Sequence, residues 1–221
     1  MHKKDPGCSW GFPTAAVHPL GQRLHDCWER CRHCFKTQTR DGSDYAHHYL
    51  SGLLRMKDEL HFAGIGREAG GEGQNIQHFI SNSPWSGAAV CWQVREELKA
   101  TPELTAGGVW LVDESADEKA SGKSAGTAKQ YNGRMGKVET SQVGVFLSYV
   151  NLKVGHGFWT WIEGNLFLPE AWFEDSPKER RQRLGIPEAL QFTTKVELAW
   201  EGIAGVIAQG LPFEVGGFDT L

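Results

Sequence analysis

From Asp44 onward, apolar residues return every three to four positions, at Tyr45, Tyr49, Leu50, Leu53, Leu54 and Leu60. That period puts side chains on one face of a helix. Gly64 and Gly66 are expected to end the run. A second, short helix is expected around Ile76, Phe79 and Ile80. Ser83-Pro84 reads as an N-cap with proline in the first turn. It opens a third helix from about Trp85 to Lys99, with Trp85, Ala88, Ala89, Trp92 and Leu98 on its apolar side. Residues 1–43 are rich in Pro, Gly, His and Cys and are expected to be irregular, which leaves residues 44–100 as a small helical domain.

The period changes after a linker from Thr101 to Gly108. Val109 to Asp113 is nearly continuous in apolar residues, as in a buried central strand. Residues 114–137 are polar, Gly-rich and basic, and are expected to form a loop. Val138 to Val150 reads as a long strand. Phe158 to Leu168 reads as another, with Trp159 and Trp161 on one face and Phe158, Thr160 and Ile162 on the other. Residues 169–192 look irregular apart from a charged turn at KERRQR. Thr194-x-x-Glu197 is a capping box that opens a helix with the stripe Val196, Ala199, Trp200, Ile203 and Ile207. Gly210 and Pro212 close that helix, and Phe213 to Phe218 returns to strand. The fold class is therefore α/β: a helical N-terminal domain, then a mixed sheet in the order β-β-β-α-β over residues 108–221.

In that order the first and fourth strands lie side by side and parallel, joined by a right-handed crossover through the helix. Asp113 closes the first and Asp219 closes the fourth. The two carboxylates then sit within reach of shared Mg²⁺, which takes a few carboxylates plus waters and phosphate oxygens. Two such ions activate an attacking water or 3′-hydroxyl and stabilise the leaving oxygen in phosphodiester chemistry. The plainer reading is a pair of ordinary surface acids at strand ends.

The net charge of −4 excludes a uniformly basic coat but not a local basic patch. Such a patch lies between Lys119 and Lys137: Lys119, Lys123, Lys129, Arg134 and Lys137 carry positive charge, no acid intervenes, and Tyr131 offers a stacking face. Contacts of this kind to phosphates supply sequence-independent DNA affinity. The alternative is a solvated hairpin. SGKSAG lacks the first glycine of a phosphate-binding loop, Asp117 standing there instead, so an NTPase is not expected. Cys27, Cys31 and Cys34 suit inward-packed thiols, with a structural zinc site including Cys8, His25 or His33 as the alternative. His47, His48 and His78 have no partner at ligand spacing, and the tryptophans read as core rather than base-stacking residues. Five cysteines without an export signal suggest reduced thiols in the cytoplasm, and no run is long enough to span a bilayer, so no membrane partner is expected.

The segments WLVDESADEKASGKSAGTAKQYNGRMGKVETSQVGVFLSYV, LFLPEAWFEDSP, LGIP, FTTKVELAW and LPFEVGGFD, with YLSGLL and QHFISNSPW upstream, resemble the DDE-type transposases of bacterial insertion sequences. These are DDE superfamily endonucleases with a ribonuclease-H-like fold. The resemblance spans roughly Tyr45 to the end and implies Mg²⁺-dependent cleavage and strand transfer at insertion-sequence ends. It implies Asp113 and Asp219 as the first two catalytic carboxylates and as ligands of two Mg²⁺ ions. Family members continue past this strand and supply a catalytic Glu from a later helix. The resemblance therefore implies a C-terminally truncated member with an incomplete ribonuclease-H-like domain, inactive alone. Glu114, Asp117 and Glu118 lie near Asp113 but are expected on a loop. The competing reading is a non-catalytic fragment, either a decayed gene product or a DNA-binding or dimerising inhibitor that pairs with itself or with a full-length relative. The last apolar strand is expected to be an unpaired edge that invites aggregation.

Overall fold

The computed structural model of the chain describes residues 19–56, 61–174 and 178–218. Two compact units divide it, residues 1–93 and 94–221.

Among the described residues the first element of this unit is a helix, α1 (Leu20–Cys31), in a segment expected to be irregular. Leu20, Leu24 and Trp28 recur every fourth residue, and Trp28 is buried, its indole N–H donating to Ser43 O at 2.7 Å. α2 (Ser43–Arg55), α3 (Phe62–Ala69) and α4 (Gly73–Asn82) follow. Gly64 and Gly66 do not end a helix but lie inside α3, which stops at Gly70 with φ +76°. The reason is close packing. A Cβ at Gly52 would stand 2.6 Å from Ile65 Cγ2, and one at Gly66 would stand 2.8 Å from Gly73 Cα. The glycines let α2, α3 and α4 approach.

α5 (Gly87–Ala100) crosses the boundary between the units. It starts later than expected because Ser86, rather than Ser83, accepts a hydrogen bond from the Ala89 N–H, at 3.1 Å. Trp85 instead folds back to donate to Phe79 O at 3.1 Å, and Trp92 is exposed.

The second unit is built on a five-stranded mixed sheet: β1 (Gly108–Glu118), β2 (Ala128–Asn132), β3 (Lys137–Asn151), β4 (Phe158–Leu166) and β5 (Val215–Phe218). β1 runs antiparallel to β3 and parallel to β5. Ser141 pairs with Glu118 on one side and Ala128 on the other, so β2 and β4 share the β3 edge opposite β1. This is a ribonuclease-H-like arrangement with two changes from the expected strands. β1 extends to Glu118, and β2 forms a hairpin within the basic segment expected to be a loop. The segment after α5 is also no free linker, because Tyr149 and Asn151 of β3 donate to Leu104 O at 2.5 Å and Ala106 O at 2.9 Å.

α7 (Lys195–Ala208) packs on one face of the sheet, α6 (Lys178–Arg183) being the short turn before it. Leu98, Val112, Val145, Leu147, Tyr149, Ile162, Ala199 and Val206 form the core there. The capping box forms as expected, with the Thr194 hydroxyl accepting from the Glu197 N–H at 3.2 Å and Glu197 accepting from the Thr194 N–H at 2.8 Å. The buried stripe is Ala199, Gly202 and Val206, while Val196, Trp200 and Ile207 face solvent. Gly202 admits Leu147, whose Cδ1 would lie 3.0 Å from a Cβ there, so the helix turns its glycine inward and the expected Trp200 outward. Arg95, buried on α5, donates to Ile162 O at 2.8 Å, to Glu163 Oε2 at 2.5 Å and to Gln209 Oε1. These bonds tie α5 to β4 and to the end of α7. No helix among the described residues is long and apolar enough to cross a membrane.

Candidate functional site

Strand alternation sorts β1 into two faces. Trp110, Val112 and Glu114 turn toward the core and α7, where Glu114 forms an ion pair with Lys195. Leu111, Asp113, Ser115 and Asp117 turn to the opposite face. That face is open: Leu111, Trp161 and Trp159 are 40%, 46% and 55% exposed. Asp113 stands on it opposite Phe146 of β3. Among the described residues no side chain pairs with its carboxylate.

β5 lies along β1 in parallel register, Val109 opposite Val215 and finally Val112 opposite Phe218. Those last partners immediately precede Asp113 and Asp219 in the sequence. Asp219 itself lies outside the described residues.

Glu114, Asp117 and Glu118 belong to strand β1 and not to a loop. Glu114 is on the wrong face and neutralised by Lys195. Asp117 shares the Asp113 face but stands four residues on, about 13 Å along the strand. Its carboxylate accepts from Lys119 at 2.6 Å, which holds it below the usual carboxylate range. None of these acids stands beside Asp113 as a further ligand.

Beside Asp113 the open face carries a groove of about 300 Å³, lined by Ser115, Asp117, Gln142, Gly144, Phe146, Gly164, Asn165 and Leu166. Its shape depends on two glycines under the Phe146 ring. A Cβ at Gly144 or Gly164 would come within 2.7 or 2.9 Å of that ring. Reading the strand for apolar period alone missed this. The signal was a glycine interrupting an otherwise apolar strand, which marks close approach.

The basic segment is divided by its hairpin. Lys129 lies opposite Thr140 and Tyr131 opposite Val138, and these β3 residues are in phase with Phe146. Lys129 and Tyr131 therefore share the sheet face of Asp113, and Tyr131 is exposed. Lys137 lies on the other face and pairs with Glu139 at 3.0 Å. Each shifts the other: Lys137 is pushed up by Glu139, and Glu139 is drawn down by Lys137 and Asn132. Lys119 is spent on Asp117. Lys123, Lys129 and Arg134 are exposed and form no ion pair among the described residues. So the five cations expected to act together split into two neutralised and three open.

Cys34 is buried and donates to Ala89 O at 3.3 Å, burial pushing its thiol up. No group of three His, Cys, Asp or Glu side chains of a metal-holding kind occurs among the described residues. Cys27, Cys31, Cys34 and Cys91 are free of disulfides, and Cys8 lies outside the described residues.

No curated protein and no solved structure matches the chain. A family model does: residues 31–219 match the model described as DDE superfamily endonuclease, which takes in the first unit from the end of α1, the hairpin and the strand leading to Asp219. The protein belongs to the DDE superfamily endonucleases.

Proposed function

We propose that this chain engages DNA as an insertion-sequence transposase, with Asp113 and Asp219 as neighbouring ligands of Mg²⁺. The observation that carries the reading is the parallel β1–β5 register, which runs up to the residue before each aspartate. The reading takes Asp219, the next residue in the sequence, as the neighbour of Asp113. The donor chemistry fits: Asp113 offers hard carboxylate oxygens on an open face, with no cation paired to it among the described residues. Two Mg²⁺ ions held there would activate a water or 3′-hydroxyl and stabilise the leaving oxygen.

The rest of the chemistry belongs to the chain. Lys123, Lys129 and Arg134 contact phosphates and set the register of the duplex. Tyr131, on the face of Asp113, offers its ring to an unstacked base. Glu114 and Asp117 are committed elsewhere, so neither serves as a third carboxylate beside Asp113. A second copy of the chain is the partner that would complete the set. The rival reading, a DNA-binding inhibitor without cleavage, draws on the same commitment of Glu114 and Asp117.

The test is nicking of duplexes taken from the ends of the element that carries the gene. The catalytic reading requires Mg²⁺-dependent nicking that Asp113→Asn abolishes. Nicking that survives Asp113→Asn sinks the assignment, and binding without nicking favours the inhibitor.

A further inference from the structure

We propose that the phosphate-contacting surface continues from the basic hairpin onto α6, with Lys178 and Arg183 as additional contacts to the DNA backbone. This rests on the reading of the hairpin as DNA-binding.

The segment KERRQR carries four cations and one acid, and its side chains do different jobs. Arg181 is buried, with its guanidinium 5.2 Å from the centre of the Phe173 ring. Arg180 lies over the Trp172 ring at 3.9 Å and donates to Gly122 O and, at 3.3 Å, to the Thr127 hydroxyl. Trp172, itself buried, donates its indole N–H to Thr127 O at 3.2 Å. On the far side Gln142 donates to Ala125 O at 2.7 Å. Three carbonyls of the turn over residues 122–127 are therefore held from the protein body, and Lys123 rides on that turn. α6 is fastened directly beside it.

What remains is a set of exposed cations, Lys178 opening α6, Arg183 closing it and Lys123 on the anchored turn. Arg183 follows Arg180 by three residues, which places it on the same side of the helix. Lys178, Arg183 and Lys123 are exposed, and none forms an ion pair among the described residues. Elsewhere in this unit the chain does pair its lysines: Lys119 with Asp117, Lys137 with Glu139, Lys153 with Glu214 and Lys195 with Glu114. In a chain of net charge −4, exposed cations that form no ion pair among the described residues, on a helix fastened to an anchored turn, offer a surface for polyanion. The nearby hairpin and the endonuclease family select nucleic acid as that polyanion.

The experiment measures binding of the full chain to a duplex DNA as salt is raised. Each lost phosphate contact lowers the slope of log affinity against log salt by about 0.9. Lys178→Ala/Arg183→Ala is expected to lower it by about 1.8. Between 50 and 200 mM salt the wild type then loses about tenfold more affinity than this variant. Lys178→Arg/Arg183→Lys, which keeps both charges, is expected to keep the wild-type slope. If only Lys123→Ala lowers the slope and the α6 double variant matches wild type, the extension to α6 is overturned and the hairpin reading stands. If wild type shows no salt-dependent DNA binding, the hairpin reading falls and takes this one with it. Retention on phosphatidylserine vesicles that depends on Lys178 and Arg183, without a matching DNA effect, would assign the surface to membrane instead and also overturn the proposal.

Discussion

Replacing Arg95 by Leu tests how the five-stranded sheet is held. The guanidinium is buried, with its side chain 7% exposed, and the partner Glu163 side chain is 18% exposed. Removal leaves three acceptors without their donor: Ile162 O, Glu163 Oε2 and Gln209 Oε1. Breaking a buried pair from one side costs about 3–5 kcal/mol, because the remaining charge stays in poor solvent. Glu163 regains some water at the edge, so the lower end applies, about 3 kcal/mol. Glu163→Leu strands Arg95, which is the more deeply buried partner, and costs at least as much. The double variant Arg95→Leu/Glu163→Leu leaves no orphaned charge and is expected to cost less than the sum by more than about 1 kcal/mol. Urea unfolding of the four proteins, followed by tryptophan fluorescence, gives the cycle. Two small, additive single effects would show that the network is incidental and refute the reasoning.

Two further predictions concern the helical unit. Asp41 accepts from the Ser43 hydroxyl and N–H, at 2.5 and 3.0 Å, and with Lys36 nearby its carboxyl is lowered from the ordinary 3.8 to about 2. A lowered carboxyl contributes stability above its unfolded value and loses it as pH falls through the folded one. Wild type is therefore expected to lose more melting temperature between pH 5 and about pH 2 than Asp41→Asn, and identical acid-side losses would contradict this. Gly52→Ala puts a methyl 2.6 Å from Ile65 Cγ2 and Ile65 O. The resulting overpacking should cost about 1–3 kcal/mol in denaturant unfolding, whereas a neutral result would mean that α2 and α3 are not closely packed.

Much of the sheet was legible because its signals are local and redundant. Trp159 and Trp161 alternate with Phe158, Thr160 and Ile162, and the structure keeps them on opposite faces. Thr194 and Glu197 state their capping box outright. The order of elements implies the parallel β1–β5 pair, which is present. What failed depended on neighbours. Gly64 and Gly66 look like breakers in isolation but serve helix contact, a tertiary role that overrides propensity. Trp200 looked like core, yet Gly202 faces Leu147 and turns the tryptophan outward. α1 was hidden by composition, its Leu20, Leu24 and Trp28 stripe set among polar and Cys residues. In the candidate site, residue type alone singles out Asp113 and the basic residues. Their division is not legible by type, because the pairing of Lys119 with Asp117 and Lys137 with Glu139 depends on a hairpin whose strands look like loop.

The central claim is that Asp113 and Asp219 form one divalent-metal site, and it can be read directly from where bound iron cuts the chain. Fe²⁺ replaces Mg²⁺ at oxygen sites, and with ascorbate and peroxide it cleaves the backbone beside its ligands. The account predicts two cleavages, one near Asp113 at the open face of β1 and one near Asp219, both suppressed by excess Mg²⁺ and both lost in Asp113→Asn. Cleavage near only one of the two aspartates, or a pattern that Asp113→Asn leaves unchanged, would contradict it.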